Sequence, residues 1–307
     1  MRIAIIDMGT NTFHLLIADV DNHEFKLLLD ERLPVRIGVG GINNGIITEG
    51  GIERALNALL KFKTKLTEFN VTRTFAFGTS ALRNASNGKD VISKIKETTG
   101  IETKIISGDE EANFIYEGVN LALNFGEEKA LVVDIGGGSV EFIIGNGKEI
   151  FWKQSFEIGA QRLLEKFQKH DPILESEITE VVNYFESNLE PLFEAIKKHS
   201  PKTLAGSSGT FETLSEIYCI ENGIELNNSP ELPLTIEGFE KIYPEIISRN
   251  REQRMQILGM IELRVDMIVV GSCLVKFILE KFDFKKIRVS SYSLKEGVLA
   301  TLIRNSD

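Results

Sequence analysis

The sequence predicts an α/β protein built from two similar lobes, and three observations carry that reading. The chain has 307 residues, long for one hydrophobic core and comfortable for two. A strand ending in aspartate, a glycine-bearing turn and two further strands occur at the N-terminus and again from residue 130. Helical periodicity follows each copy, so the repeat covers a layer of sheet and a layer of helix.

The elements justify this in order. Residues 2–7 form a short apolar run ending in Asp7, as a buried strand does. A polar turn follows, and Phe13, Leu15 and Ile17 mark a second strand. Asp21-Asn22 signals a turn into a third strand over 25–33. Residues 38–45 read as a glycine-rich loop. Residues 52–69 carry apolar side chains at helical spacing, with Thr48 as the cap. Strands are expected at 74–77 and 103–106, with helical stretches up to Thr98 between them, and a helix at 109–123. The second copy runs from a strand at 130–134 through a turn at 135–139 to a strand with Val140, Phe142 and Ile144. Asn146-Gly147 then signals a hairpin into a strand over 149–156. The remainder reads as a helix over 178–196, a strand at 202–205 and a helix at 211–218. Short helices broken by proline are expected over 232–257, and a long helix within 260–282. A strand at 287–290 and a helix at 294–304 close the chain.

Bulk properties exclude some functions. A net charge of −10 argues against a nonspecific nucleic-acid binder. It also requires that any polyanionic substrate be attracted locally, by backbone N–H groups, a metal ion and a few basic side chains. Cys219 and Cys273 form no CxxC pair and read as reduced thiols. Asp7 interrupts the first apolar run too early for a signal peptide. The stretch 267–279 contains Lys276 and is shorter than the roughly 20 residues a membrane span needs. The expectation is a cytoplasmic protein with neither nucleic acid nor membrane as partner.

The two aspartate–glycine turns are the chemical signal. Glycines let several N–H groups converge on one point, and such a nest binds phosphate oxygens without net charge. The candidates are Gly9, Thr10, Asn11 and Thr12 in the first turn, and Gly136, Gly137, Gly138 and Ser139 in the second. Carboxylates do not bind phosphate, so Asp7 and Asp134 are read as ligands of a cation or a water. Magnesium suits them, since it binds through few carboxylates plus substrate phosphates. Either turn alone would pass for an ordinary Asx-capped turn; their matched positions in a duplicated unit argue otherwise. Gly206, Ser207, Ser208 and Gly209 form a third such turn ahead of a helix, which also reads as a plain helix start. Glu141 shares a strand face with Ser139 and is a candidate metal or water ligand, or else lies on a solvated edge. Glu110 and Glu111 read first as helix-start acids. Arg83, in a polar turn, could fork onto a phosphate or lie on the surface. The histidines, His14 among them, have no metal-ligand spacing.

The segments IDMGTNTFHLLI, GTSALRNA, ISGDEEANFIYEGV, VVDIGGGSVEFIIG, AGSSGTFETL and VSSYSLKEGVL, in this order, resemble the exopolyphosphatase / guanosine pentaphosphate phosphatase (Ppx/GppA) family of the actin, sugar-kinase and heat-shock chaperone superfamily. The resemblance implies two ribonuclease-H-like, actin-like lobes with a central cleft. They are expected at 1–121 and 122–296, with a closing helix at 297–307 packed on the first. It implies Glu111 as the catalytic base, which the residue pattern alone does not favour. It also implies Asp134 and Glu141 as metal- and water-holding acids, and Arg83 as a neighbour of substrate phosphates. The implied reaction is release of the terminal phosphate of inorganic polyphosphate by Mg²⁺-assisted attack of water. Guanosine pentaphosphate (pppGpp) hydrolysis, a kinase or ATPase of the same superfamily, and a non-catalytic alarmone or phosphate-chain sensor are the alternatives. A homodimer is suggested by the resemblance and by no residue pattern. Lys295 stands where the family usually has arginine, and Ser293 where it has glycine or another small residue. Long family members add a C-terminal helical domain, and its absence argues, with the charge of −10, against processive action on long chains.

Overall fold

The computed structural model describes residues 1–21, 24–225 and 229–304. Asn22 of the expected first turn and residues 305–307 of the expected closing helix lie outside the described residues. The chain forms two compact units, one of Met1–Gly118 with the segment from Leu294 onward, the other of Val119–Ser293.

In the first unit, β1 (Arg2–Met8), β2 (Thr12–Asp21) and β3 (Glu24–Pro34) make an antiparallel meander. Helix α1 (Glu49–Glu68) leads to β4 (Arg73–Gly78), which pairs parallel with β1. Helices α2 (Ser80–Asn84) and α3 (Gly88–Thr99) lead to β5 (Thr103–Ile105), giving the order β3-β2-β1-β4-β5. The alternation read from the sequence is what packs: Ala4, Ile6 and Met8 of β1 and Phe13, Leu15 and Ile17 of β2 share one core with Ile52, Leu59 and Phe62 of α1. Each such side chain stabilises the fold by about 1.5–3 kcal/mol when fully buried. Thr48 caps α1, its hydroxyl accepting from Gly51 N at 3.2 Å. The edge strand β3 pairs with β2 across a register shift, Leu29 opposite Ile17 and Leu27 opposite Ala18, and exposes Lys26, Asp30 and Arg32, features that discourage edge-to-edge pairing.

Helix α4 (Gly108–Leu123) contains the division between units. The second unit repeats the meander in β6 (Ala130–Ile135), β7 (Val140–Gly145) and β8 (Ile150–Phe156). Helices α5 (Ala160–Phe167), α6 (Glu175–Asn188) and α7 (Glu190–His199) lead to β9 (Thr203–Ser207), parallel to β6. Then come α8 (Ser208–Glu221), β10 (Glu231–Leu232), α9 (Ile236–Ser248), α10 (Arg251–Arg254), α11 (Ile268–Lys281) and β11 (Lys286–Ser290). The order is β10-β11-β9-β6-β7-β8. Read from β8, it reproduces the first sheet strand for strand and adds β10. Helix α12 (Leu294–Arg304) belongs to the first unit.

The helical half departs from the sequence reading in several places. The run 178–196 is two helices, because Pro191 occupies the first turn of α7 and stops α6 from continuing. Pro244 does not break α9; burial of Phe239, Ile242 and Ile246 outweighs the hydrogen bond that the proline removes. The expected long helix begins only at Ile268, after turns that include Gly259 at φ +94°. The turn expected at Gly206, Ser207, Ser208 and Gly209 is absent: Gly206 and Ser207 end β9, and Ser208 already starts α8. Two local causes act. The Phe211 ring lies where a Cβ on Gly206 would be, and Ser208 makes the strand-to-helix switch alone, at φ +67°.

One contact fixes the closing helix. A Cβ on Gly297 of α12 would lie 1.7 Å from Phe114 O of α4, so the helix backbones touch. Gly297→Ala is expected to lower unfolding free energy by about 2–3 kcal/mol through overpacking, measured by denaturant titration; an unchanged midpoint would contradict this packing.

Candidate functional site

Each unit places its predicted residues at the end of its first strand. In the first unit, Asp7 on β1 stands opposite His14 on β2, and His14 opposite Arg32 on β3. Asp7, expected to hold a metal, thus occupies a row of mixed charge. Thr10, Asn11 and Thr12 are buried in the turn that follows. Among the described residues Thr12 Oγ1 makes no hydrogen bond although fully enclosed, so it retains a donor for a ligand.

The two helix-start acids of α4 separate in purpose. Glu110 is the cap: its carboxylate accepts from Ser107 N at 2.9 Å, and its own N–H donates to Ser107 Oγ at 3.1 Å. Glu111 instead turns inward, only 7% exposed, and accepts from Arg83 Nη1 at 2.6 Å. Arg83 lies on the short helix α2 and not in the expected turn, because Ser80, Ala81 and Leu82 bury themselves and wind the segment. Its Nη1 also donates to Ile106 O at 3.3 Å.

In the second unit, Asp134 on β6 and Glu141 on β7 are directly opposed cross-strand partners, 4% and 1% exposed. Strand β7 is interior, so Glu141 is no solvated edge residue. Asp134 Oδ2 accepts from Ser207 Oγ (2.7 Å) and Ser293 Oγ (2.6 Å), and both its oxygens accept from Ser208 Oγ. Glu141 accepts from Ser155 Oγ at 2.6 Å, and Ser155 sits opposite it on β8. The glycine turn 136–139 follows β6. Gly209 makes room for Arg264, whose Cζ lies 1.8 Å from where a Cβ on Gly209 would be.

Sequence reading missed Ser155 and Arg264, and noted Ser293 only as a departure from the family pattern, not as a partner of Asp134. The strand pattern could have found Ser155, from the register of the hairpin at Asn146-Gly147. Arg264 carries no local signal. Lys295, which stands where the family usually has arginine, is 5% exposed and ion-paired with Glu296 and with Asp30 at 3.4 Å. Burial pushes its ammonium down, but Glu296 and Asp30 outweigh this and hold its pKa above the ordinary value. Among the described residues no three acidic, histidine or cysteine side chains gather as a metal cluster. No helix among them is long and apolar enough to cross a membrane.

Two ribonuclease-H-like sheets, each ending its first strand in a carboxylate beside a glycine-bearing turn, define an actin-like fold. The Ppx/GppA phosphatase family matches residues 16–306, and the chain belongs to that family. It is 28% identical over 306 residues to a putative exopolyphosphatase of Haemophilus influenzae, covering 99% of this chain and 92% of the relative. It is 27% identical over 296 residues to a guanosine-5'-triphosphate,3'-diphosphate pyrophosphatase of Photobacterium profundum, spanning 96% of this chain and 58% of that protein. The crystal structure of an exopolyphosphatase from Cytophaga hutchinsonii superposes with a TM-score of 0.97 at 44% identity, covering 100% of this chain and 99% of that one. An Aquifex aeolicus Ppx/GppA family member gives 0.79 at 28% identity, covering 100% and 99%.

Two outcomes follow from this geometry. Ser207→Ala and Ser208→Gly each remove a hydroxyl from Asp134, but the glycine also relieves a left-handed backbone. Ser208→Gly is therefore expected to cost less stability by about 1 kcal/mol, measured by chemical denaturation; equal costs would show that Ser208 stores no strain. Lys295→Met removes the buried ion pairs with Glu296 and Asp30 and is expected to cost about 3–5 kcal/mol. Because the lysine pKa is raised on folding, this gap should be full at neutral pH. On the alkaline side it should close as pH climbs beyond about 10.5, the ordinary lysine value. A gap that stays full far above that pH would refute the assignment.

Proposed function

We propose that the chain is an exopolyphosphatase, releasing the terminal phosphate of inorganic polyphosphate by attack of water. The names of its relatives support this, and one observation carries it: the buried pair of Glu111 and Arg83. It joins a guanidinium able to bind phosphate to a carboxylate able to act as a base, through a hydrogen bond of 2.6 Å. A phosphoryl oxygen that takes the Arg83 donor releases Glu111 to a water. As the water oxygen bonds to phosphorus and the bridging P–O bond breaks, Glu111 accepts the water proton. The Thr12 hydroxyl donates to a phosphate oxygen, and the N–H groups of its own turn do the same. The lone-cation alternative, a surface arginine beside a capping acid, leaves the burial of Glu111 unexplained.

The acids of the second unit fit a divalent cation. Directly opposed carboxylates repel, and these two are buried with serine hydroxyls around them, an all-oxygen set suited to a hard ion. Asp134 and Glu141 would hold Mg²⁺, which when bound offsets charge on the phosphates. A reducing compartment such as the cytoplasm suits the two free, buried thiols, and burial pushes that of Cys273 up to about 11. A second reading, hydrolysis of guanosine pentaphosphate, is favoured by the name of the Photobacterium profundum relative.

Glu111→Gln is expected to lower kcat for phosphate release from tripolyphosphate with Mg²⁺ by about 10²–10⁴-fold, with KM nearly unchanged. Loss in KM instead would reassign Glu111 to binding. Release compared across a ladder of polyphosphates and guanosine pentaphosphate, with and without chelator, decides between the two substrates. No release from any of them, despite tight binding, would leave a sensor.

A further inference from the structure

Behind each glycine turn lies a matched segment whose purpose the reaction does not account for. In the first unit it is Val35-Arg36-Ile37-Gly38, after β3; in the second it is Phe156-Glu157-Ile158-Gly159, at the end of β8 and beyond. The pattern is apolar, charged, isoleucine, glycine in both. Val35, Ile37, Phe156 and Ile158 are buried, which anchors the two segments in their cores.

Both segments bind the carbonyls of the turn. Gly136 O accepts from Ala160 N at 2.9 Å, and Gly137 O from Gln161 N at 2.9 Å. Gly138 O takes two donors, Gly159 N at 3.2 Å and Arg162 Nε at 2.7 Å. In the first unit Thr10 O accepts from Gly38 N at 3.2 Å. Asn11 O, the counterpart of Gly138 O, also takes two donors, Val35 N at 2.9 Å and Arg36 N at 2.8 Å. The glycine of each segment is required by contact. A Cβ on Gly159 would lie 2.4 Å from Gly137 C, and one on Gly38 2.6 Å from the Thr10 methyl.

A trans peptide is planar, so the N–H of residue i+1 points opposite to the C=O of residue i. Pinning the carbonyls of 136, 137 and 138 on one side therefore aims the N–H groups of Gly137, Gly138 and Ser139 to the other. Among the described residues, the N–H groups of Gly137 and Gly138 enter no backbone hydrogen bond. Pinning Thr10 O and Asn11 O aims the amides of Asn11 and Thr12 likewise.

An arginine secures each segment. Arg162 reaches Gly138 O and is steadied by Glu157 Oε2 at 3.0 Å. Arg54 of α1 donates to Val35 O (2.8 Å) and Arg36 O (2.7 Å), holding Arg36 in a left-handed conformation at φ +49°. A non-glycine residue there persists only when its surroundings over-determine it. We infer that Arg54 and Arg162 are positioning residues that act through these two back-plates, presetting the turn amides to receive phosphate oxygens. The ligand assignment rests on the exopolyphosphatase reading; the preset amides rest on geometry alone.

The test uses Arg162→Met, Arg162→Lys and Arg54→Met in the full chain. Amide hydrogen exchange is read at Gly159–Gln161 and at Val35, Arg36 and Gly38, whose N–H groups donate to the turn carbonyls, and KM and kcat are read on tripolyphosphate with Mg²⁺. Arg162→Met should speed exchange about 10-fold at Gly159–Gln161 and leave Val35, Arg36 and Gly38 unchanged. It should raise KM about 10-fold with little change in kcat, and Arg162→Lys should recover part of both. Arg54→Met should show the mirror pattern in the first unit. Back-plate amides that exchange as in wild type, or loosened amides with an unmoved KM, overturn the inference. If Arg162→Met does not fold, Arg162→Lys and Arg54→Met decide by the same readouts. If the wild type releases no phosphate, the enzymatic reading fails, and the exchange pattern still decides whether the amides are preset.

Discussion

Burying a carboxylate at the end of a buried strand sets the terms for the rest of the second unit. Asp134 cannot hold its charge in an apolar interior without donors. The fold supplies them from three separate places: the last residue of β9, the first residue of α8 and the segment after β11. Those places lie together because β6, β9 and β11 run parallel, so their C-terminal ends are neighbours. Ser208 takes a left-handed backbone to bring its hydroxyl there, which is why no loop separates β9 from α8. A local strain is thus exchanged for a charge-assisted hydrogen bond.

The two units share topology and differ in chemistry at one matched position. The residue opposite the strand-end aspartate is His14 in the first unit and Glu141 in the second. An imidazole beside an acid needs no added cation, whereas two opposed acids favour one. The duplicated scaffold therefore carries unlike charge patterns at its two matched positions, and Arg83 and Glu111 belong to the unit with the histidine. This division makes a net charge of −10 compatible with a polyanionic substrate, since recognition depends on a few aimed groups and not on the overall field.

Much of the sheet architecture was legible because strand alternation and the aspartate–glycine turns are short-range signals. Both meanders and the parallel returns at 74–77 and 202–205 lie where the pattern puts them. Helix starts and breaks were less legible: Pro191 divides a run read as one helix, whereas Pro244 leaves unbroken a helix where a break was expected. At the site, aspartates and glycines showed in the sequence, while the contacts of Ser293 and Arg264 did not, since each meets its partner across a long stretch of chain. Glu110 and Glu111 are chemically alike and adjacent; which one caps the helix and which turns inward is settled by the position of Arg83 on a neighbouring element.

The first unit is completed by α12, which joins it after the whole second unit has been traversed. On the ribosome, the N-terminal sheet thus emerges early and must wait, its contact with α12 unmade, until the segment from Leu294 onward is translated. The second unit has all its strands by then. Nascent chains should consequently mature in reverse of their order of synthesis, and a stop codon ahead of Leu294 would cripple the N-terminal half more than the C-terminal one.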